Sequence, residues 1–123
     1  MIALLVVRPG PLLDGLNALL YAMPDIRLVA QANDADAALD FCRRSPVELI
    51  ILEVKPGHQE LLARVANMKA VCSRGQVLAL IHDEVDWQPA EASGADLIMM
   101  VGIRAAEIKV RLGELVRPLA EAS

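Results

Sequence analysis

The sequence predicts an α/β domain: a (βα)5, doubly wound, five-stranded parallel sheet with helices on both faces. Three observations lead there. Five short apolar runs alternate strictly with five helical patterns along 123 residues, and that alternation makes a right-handed parallel sheet the default. Three of the runs are almost continuously apolar, as strands buried on both faces require. The apolar fraction is 55%, enough to cover a sheet on two sides within one domain of this length.

The strands are expected at 2–7, 26–31, 48–53, 76–81 and 96–100. The second mixes Arg27 and Gln31 into its apolar residues, which suits an edge. The first helix is expected from Pro11, whose fixed φ suits a first turn, with Leu12, Leu16, Leu19 and Leu20 as its buried stripe and Leu13 beside it. Asn33 or Asp34 can cap the second, which would bury Ala35, Ala38, Leu39 and Cys42. The third carries Leu61, Leu62, Val65 and Met68. The fourth is short, with Asp86 as cap and Gly94 as stop. The last runs from about Arg104, with Ile108, Leu112, Leu115, Val116 and Leu119 on one face.

Composition removes several classes of function. The formal net charge is −4 and the isoelectric point is near 5.1, against the basic patch of a nucleic-acid-binding domain. Tyr21, Phe41 and Trp87 are too few for a base-stacking platform. No apolar stretch approaches the ~18 residues of a membrane span, and the apolar start at 1–7 is too short for a signal peptide. The chain reads as cytoplasmic and as one domain, 1–123, which could be the N-terminal part of a longer regulator. Cys42 and Cys72 lack CxxC spacing and read as reduced core or surface thiols. No Walker or G-x-G-x-x-G pattern exists among the glycines. Ser45, Ser73, Ser93 and Ser123 cannot join His58 or His82 in a catalytic triad. Asp14, Asp34 and Asp36 read as helix-end charges.

In this fold class, function sits just beyond the carboxyl ends of the strands. Glu53 stands there, after Leu49-Ile50-Ile51-Leu52 and before Val54-Lys55-Pro56-Gly57. Three stretches carry a resemblance: Pro24-Asp25-Ile26-Arg27-Leu28-Val29-Ala30-Gln31-Ala32, Glu48-Leu49-Ile50-Ile51-Leu52-Glu53-Val54, and Ser93-Gly94-Ala95-Asp96. Over its whole length the chain resembles the receiver (CheY-like, flavodoxin-like) domain of two-component response regulators, in the NarL/LuxR-type subfamily that usually precedes a helix-turn-helix DNA-binding domain. The resemblance implies strand order 2-1-3-4-5. It also implies a chemistry: two acids holding Mg²⁺, an aspartate that accepts a phosphoryl group, and a hydroxyl and a lysine that grip it.

Position by position, this chain departs from that pattern. The acidic pair falls at Val7 and Arg8, or at Arg8-Pro9 if the loop is one residue shorter. The phosphoacceptor position is Glu53, and Pro56 follows it by three residues rather than four. The hydroxyl position is Ile81, the lysine position Val101, and the aromatic rotor position Ile98. No catalytic residue, metal site or cofactor is therefore expected, Mg²⁺ included. The resemblance implies the fold and a signalling context, and these departures make the expectation an atypical, phosphorylation-independent pseudo-receiver.

Since strands one and three are neighbours in that order, Arg8 and Glu53 emerge side by side. Two readings follow: an ion pair filling the mouth, or two side chains turned to solvent. His82-Asp83-Glu84 offers a second polar cluster there, as metal ligands with Glu53 or as a solvated loop capping the next helix. His58 reads as a first-turn helix residue, with a proton relay as the alternative. For partners, the expectation is a homodimer or another protein, with a DNA-binding output beyond Ser123. Candidate contacts are Trp87, Met99, Met100, Val101 and Ile103, where Met99 and Met100 could equally be core. Trp87 could instead lie over the mouth as a lid. The alternative function is small-molecule sensing in the vacated pocket.

Overall fold

The computed structural model describes residues 1–56, 60–72 and 74–122, with the side chains of 105 and 116–122 excepted. Its elements alternate as β1 (Ile2–Val6), α1 (Pro11–Tyr21), β2 (Leu28–Gln31), α2 (Ala35–Arg44), β3 (Val47–Val54), α3 (Val65–Val71), β4 (Gln76–Ile81), α4 (Trp87–Ala92), β5 (Leu97–Met100) and α5 (Ala105–Ala122). The strands form one parallel sheet in the order β2-β1-β3-β4-β5, so the mixed second strand is an edge.

Alternation of side chains along each strand splits the core in two. Leu4, Val6, Ile50, Leu52, Val77 and Ala79 face one way, against Ala38, Leu39, Val65 and Met68 of α2 and α3. Leu5, Leu49, Ile51, Leu78 and Leu80 face the other way, against Leu13, Leu16 and Leu20 of α1 and Leu112 of α5. Leu49, Ile50, Ile51 and Leu52 are fully buried. Each contributes roughly 1.5–3 kcal/mol of apolar transfer, which is why the centre of the sheet is legible as unbroken apolar runs.

Several boundaries differ from expectation for local reasons. β2 begins at Leu28: Ile26 is buried before the strand starts, and the Arg27 N–H donates to the Met1 carbonyl at 2.8 Å. β3 extends one residue past Glu53, because Val54 pairs with Ile81. In α1 the fully covered leucines are Leu13, Leu16 and Leu20, while Leu12 and Leu19 are half-buried. The helix is rotated so that Leu13, not Leu12, meets the sheet. A 3₁₀ turn, Leu62–Arg64, precedes a shortened α3. Before α4, the side chain that caps is Asp83, accepting from the Val85 N–H at 3.0 Å. Asp86 is fully buried and makes no capping bond.

The expected cap of α2 is Asp34, which accepts from the Ala37 N–H at 2.8 Å. Gly94 ends α4 with φ +93°, a left-handed conformation in which a side chain would be strained. β5 starts at Leu97 rather than Asp96, because Asp96 is used as a clasp. Its N–H donates to the Val77 carbonyl and its Oδ2 accepts from the Val77 N–H, both at 2.8 Å, while Oδ1 takes Lys69 Nζ at 2.6 Å. In α5, Ile108 and Leu115 are half-buried and Leu112 fully buried. The side chains of Val116 and Leu119 lie outside the described residues. No helix among the described residues is long and apolar enough to cross a membrane.

Candidate functional site

β1 and β3 run side by side with Val6 opposite Leu52, so Arg8 and Glu53 leave the sheet together. They are paired. Glu53 Oε1 accepts from the Arg8 backbone N–H at 2.9 Å and from Arg8 Nε at 3.4 Å. Oε2 accepts from Arg8 Nη2 at 3.1 Å. The guanidinium thus forks across the carboxylate, the arrangement for which its planar donors suit it. Of the two readings of this pair, the solvent-turned one is excluded in this structure.

The sequence placed His82 at this mouth, as a metal ligand with Glu53 or in a solvated loop, and not as the direct hydrogen-bond partner of Glu53 that it is. Its Nε2 lies 2.8 Å from Glu53 Oε2. Glu53 is therefore held by four hydrogen bonds and is 7% exposed. A signal for His82 did exist. Glu53 pairs with Leu80 across β3 and β4, and a residue two positions beyond Leu80 shares its side of the strand.

Two opposed effects set the charge of Glu53. Burial, the larger single influence, would raise its pKa. The Arg8 side-chain and backbone hydrogen bonds, the His82 bond and the Arg8 charge together overcome it and hold the carboxyl down at about 2. Reciprocally, the Glu53 hydrogen bond and charge raise Arg8. An ionised carboxylate only accepts, so Nε2 of His82 carries the hydrogen and donates it.

The other half of the mouth is apolar. Ile81 is fully buried, and its carbonyl accepts from the Val101 N–H at 2.8 Å. Val7 is buried and Val101 half-buried on the α1/α5 face, while Ile98 packs half-buried on the α2/α3 face. Met99 is 2% exposed and belongs to the core. It leaves the set of candidate contacts because its strand position faces inward, toward α1 and α5. Met100, Val101 and Ile103 are half-buried.

A cleft of about 480 Å³ opens beside Glu53, its walls including Val7, Arg8, Asp34, Lys55, Leu61 and Arg64. Trp87 is not on its wall and so is not a lid over it. Instead Trp87 is 41% exposed, two residues from Val85, which is 68% exposed. His58 lies outside the described residues.

The site does not fit Mg²⁺. That ion takes oxygen ligands in near-octahedral geometry. Here a guanidinium already occupies the carboxylate, Val7 and Arg8 bring no acid, and Asp83 is spent on its cap. Among the described residues no three His, Cys, Asp or Glu side chains are grouped to hold a metal.

No protein-family model matches the chain, and no curated protein matches it. Solved structures do. A LuxR family DNA-binding response regulator from Silicibacter pomeroyi is 21% identical, with a TM-score of 0.78, over 95% of this chain and 92% of that one. The response regulatory domain of mrkE from Klebsiella pneumoniae is 14% identical, with a TM-score of 0.82, over 100% of both. A CheY-like protein, tadZ, from Pseudomonas aeruginosa is 18% identical, with a TM-score of 0.75, over 93% and 98%. At these identities the likeness is one of architecture, and the chain has the receiver, CheY-like fold.

Proposed function

We propose that this domain is an atypical receiver that signals without phosphorylation, by contact with a second copy of itself or with another protein. One observation carries the reading: the carboxylate in the phosphoacceptor position is engaged by Arg8 through three hydrogen bonds and by His82 through a fourth. A carboxylate attacking phosphorus needs an open oxygen and a cation that bridges it to the donor. Both Glu53 oxygens are occupied, and the local cation belongs to the protein. The same pairing neutralises the site permanently, so its charge state does not wait on a kinase. Catalysis, Mg²⁺ and a phosphoryl cofactor have no part in this reading. The exposed Trp87 and Val85 are the contact candidates, aromatic anchors being the usual centres of such surfaces. The LuxR family DNA-binding neighbour supports a regulator with a DNA-binding output beyond Ser123, and on this reading the domain acts in the cytoplasm.

The test is intact mass after incubation with acetyl phosphate and Mg²⁺, together with elution volume against protein concentration. The expected result is an unchanged mass and a concentration-dependent dimer, or partner complex, indifferent to both reagents. Acid-labile phosphate on Glu53 would overturn the proposal.

A second reading, small-molecule sensing, is favoured by the cleft beside Glu53, whose volume lies within the range of ligand pockets. It would be recognised by a metabolite that raises the melting temperature and loses that effect in Lys55→Ala.

A further inference from the structure

At the amino ends of the strands, opposite Glu53, lies the only pair of thiols in the chain. Cys42 sits in the last turn of α2 and Cys72 immediately after α3, thirty positions apart, and both are free and buried. Cys72 Sγ lies 4.0 Å from the Cys42 carbonyl oxygen, near enough for the Cys72 thiol to help raise the Cys42 pKa. Both line one cleft of about 350 Å³, with Val47, Val71 and Arg74 among its other walls.

The turn after α3 fixes Cys72 in this position. Its N–H donates to the Met68 carbonyl and its carbonyl accepts from the Gly75 N–H, each at 2.8 Å. A Cβ on Gly75 would stand 3.0 Å from both Cys72 Cβ and Cys72 O. The turn is therefore tight enough at Gly75 that a side chain there would press on Cys72.

We propose that Cys42 and Cys72 are a redox modification site, closing to a reversible intramolecular disulfide that clamps α2 to α3 when a hydroperoxide is present. One cysteine stands at the end of each of two packed helices, with Cys72 Sγ 4.0 Å from the Cys42 carbonyl and both residues on one cleft, which brings the two side chains together as that bond requires. Thiol pairs that close in a reducing compartment are usually transient and sensing.

The reaction balances as follows. The Cys72 thiolate attacks one oxygen of hydrogen peroxide, breaking the O–O bond and giving a sulfenic acid and hydroxide. The Cys42 sulfur then attacks the Cys72 sulfur. The sulfenic oxygen leaves as hydroxide, and the protons of the two thiols complete two waters. Two thiols are oxidised by two electrons and one peroxide is reduced. Burial, and next the neighbouring Cys72 thiol, push Cys42 up to about 12, so Cys42 closes the bond rather than opening the reaction. Closure is correspondingly slow at neutral pH and faster as pH rises.

The same two helices border the Glu53 cleft at their other ends, where Asp36 of α2 meets Arg64, just before α3, at 2.8 Å. A clamp at the thiol end therefore steadies one wall of that cleft.

The test treats the folded protein with hydrogen peroxide, blocks remaining thiols with N-ethylmaleimide, and measures intact mass and linked peptides. The expected product is a monomer lighter by two hydrogens, unlabelled, with a peptide joining Cys42 to Cys72. It should be restored by dithiothreitol and should melt about 10 °C higher than the reduced form. Cys42→Ala and Cys72→Ala, each shown folded by circular dichroism, should lose the crosslink and the oxidation-dependent melting shift. Two labelled cysteines after oxidation, a disulfide-linked dimer, or an irreversible sulfinic acid at either position would each overturn the proposal.

Discussion

The mouth of the sheet is closed twice, by different physics. On the β1–β3 side and across to His82, Glu53 is satisfied by donors: Arg8 supplies a cation and three hydrogen bonds, and His82 a fourth. On the β4–β5 side, Ile81 is fully buried and Val101 packs above the α1/α5 layer, tied to Ile81 by a backbone hydrogen bond. The apolar closure gains from every methyl group kept from water. The ionic closure trades desolvation against attraction, and its net gain is small even though breaking one partner is costly. The contrast shows that removing a polar site takes two devices. An apolar residue can seal a position whose neighbours are apolar, but a buried carboxylate has to be answered by donors.

The apolar side should break hardest. Ile81→Ala deletes fully buried methyl groups between β4 and its neighbours, and is expected to cost about 2–4 kcal/mol in urea unfolding. A cost below about 1 kcal/mol would mean that the mouth relaxes and is not tightly packed there.

Next comes Arg8→Ala, expected to destabilise at neutral pH by less than Ile81→Ala, because Glu53 keeps its burial and loses its cation. Replacing both partners, with Arg8→Met and Glu53→Leu, should cost less than Arg8→Ala alone. The pH dependence sharpens the point. Glu53 in the folded chain is held at about 2, below the ordinary ~4.3 of an unfolded glutamate. Its contribution is therefore fully present above the unfolded value and is lost as pH falls from about 5 toward 2. Wild-type stability should decline across that window, and the decline should flatten in Glu53→Gln. Equal slopes in the two proteins would show that Arg8 does not hold the carboxylate in solution.

The smallest expected effect lies on the cleft wall. Asp34→Ala removes the cap of α2 and should cost about 1 kcal/mol, with no change in that acid window. A change in the window would mean that Asp34 couples to Glu53 across the cleft.

Much of this was legible in the residues. The run 49–52 announced a doubly buried strand, and Pro11, Asp34 and Gly94 marked helix ends because capping and φ preferences act within a few positions. Arg8 and Glu53 could be placed side by side once β1 and β3 were adjacent, but only the structure chose pairing over solvent. His82 was harder to place. Alternation puts it on the side of Leu80, but the register that sets Leu80 beside Glu53 is not written locally. Cys42 and Cys72 were harder still, since nothing in their spacing encodes that the last turn of α2 meets the end of α3. Met99 read sooner as core than as contact and Met100 as either, because an edge strand of four residues carries too little pattern to decide.

The order of elements, the buried centre of the sheet and the absence of an acid at Val7 and Arg8 belong to the chain as written, since hydrophobic periodicity and residue identity are local properties. Which donors reach Glu53, which carbonyl Cys72 approaches, and which apolar residues seal Ile81 were decided only by folding. Those contacts join residues 20 to 45 positions apart, and a shift of about 1 Å separates a hydrogen bond from none.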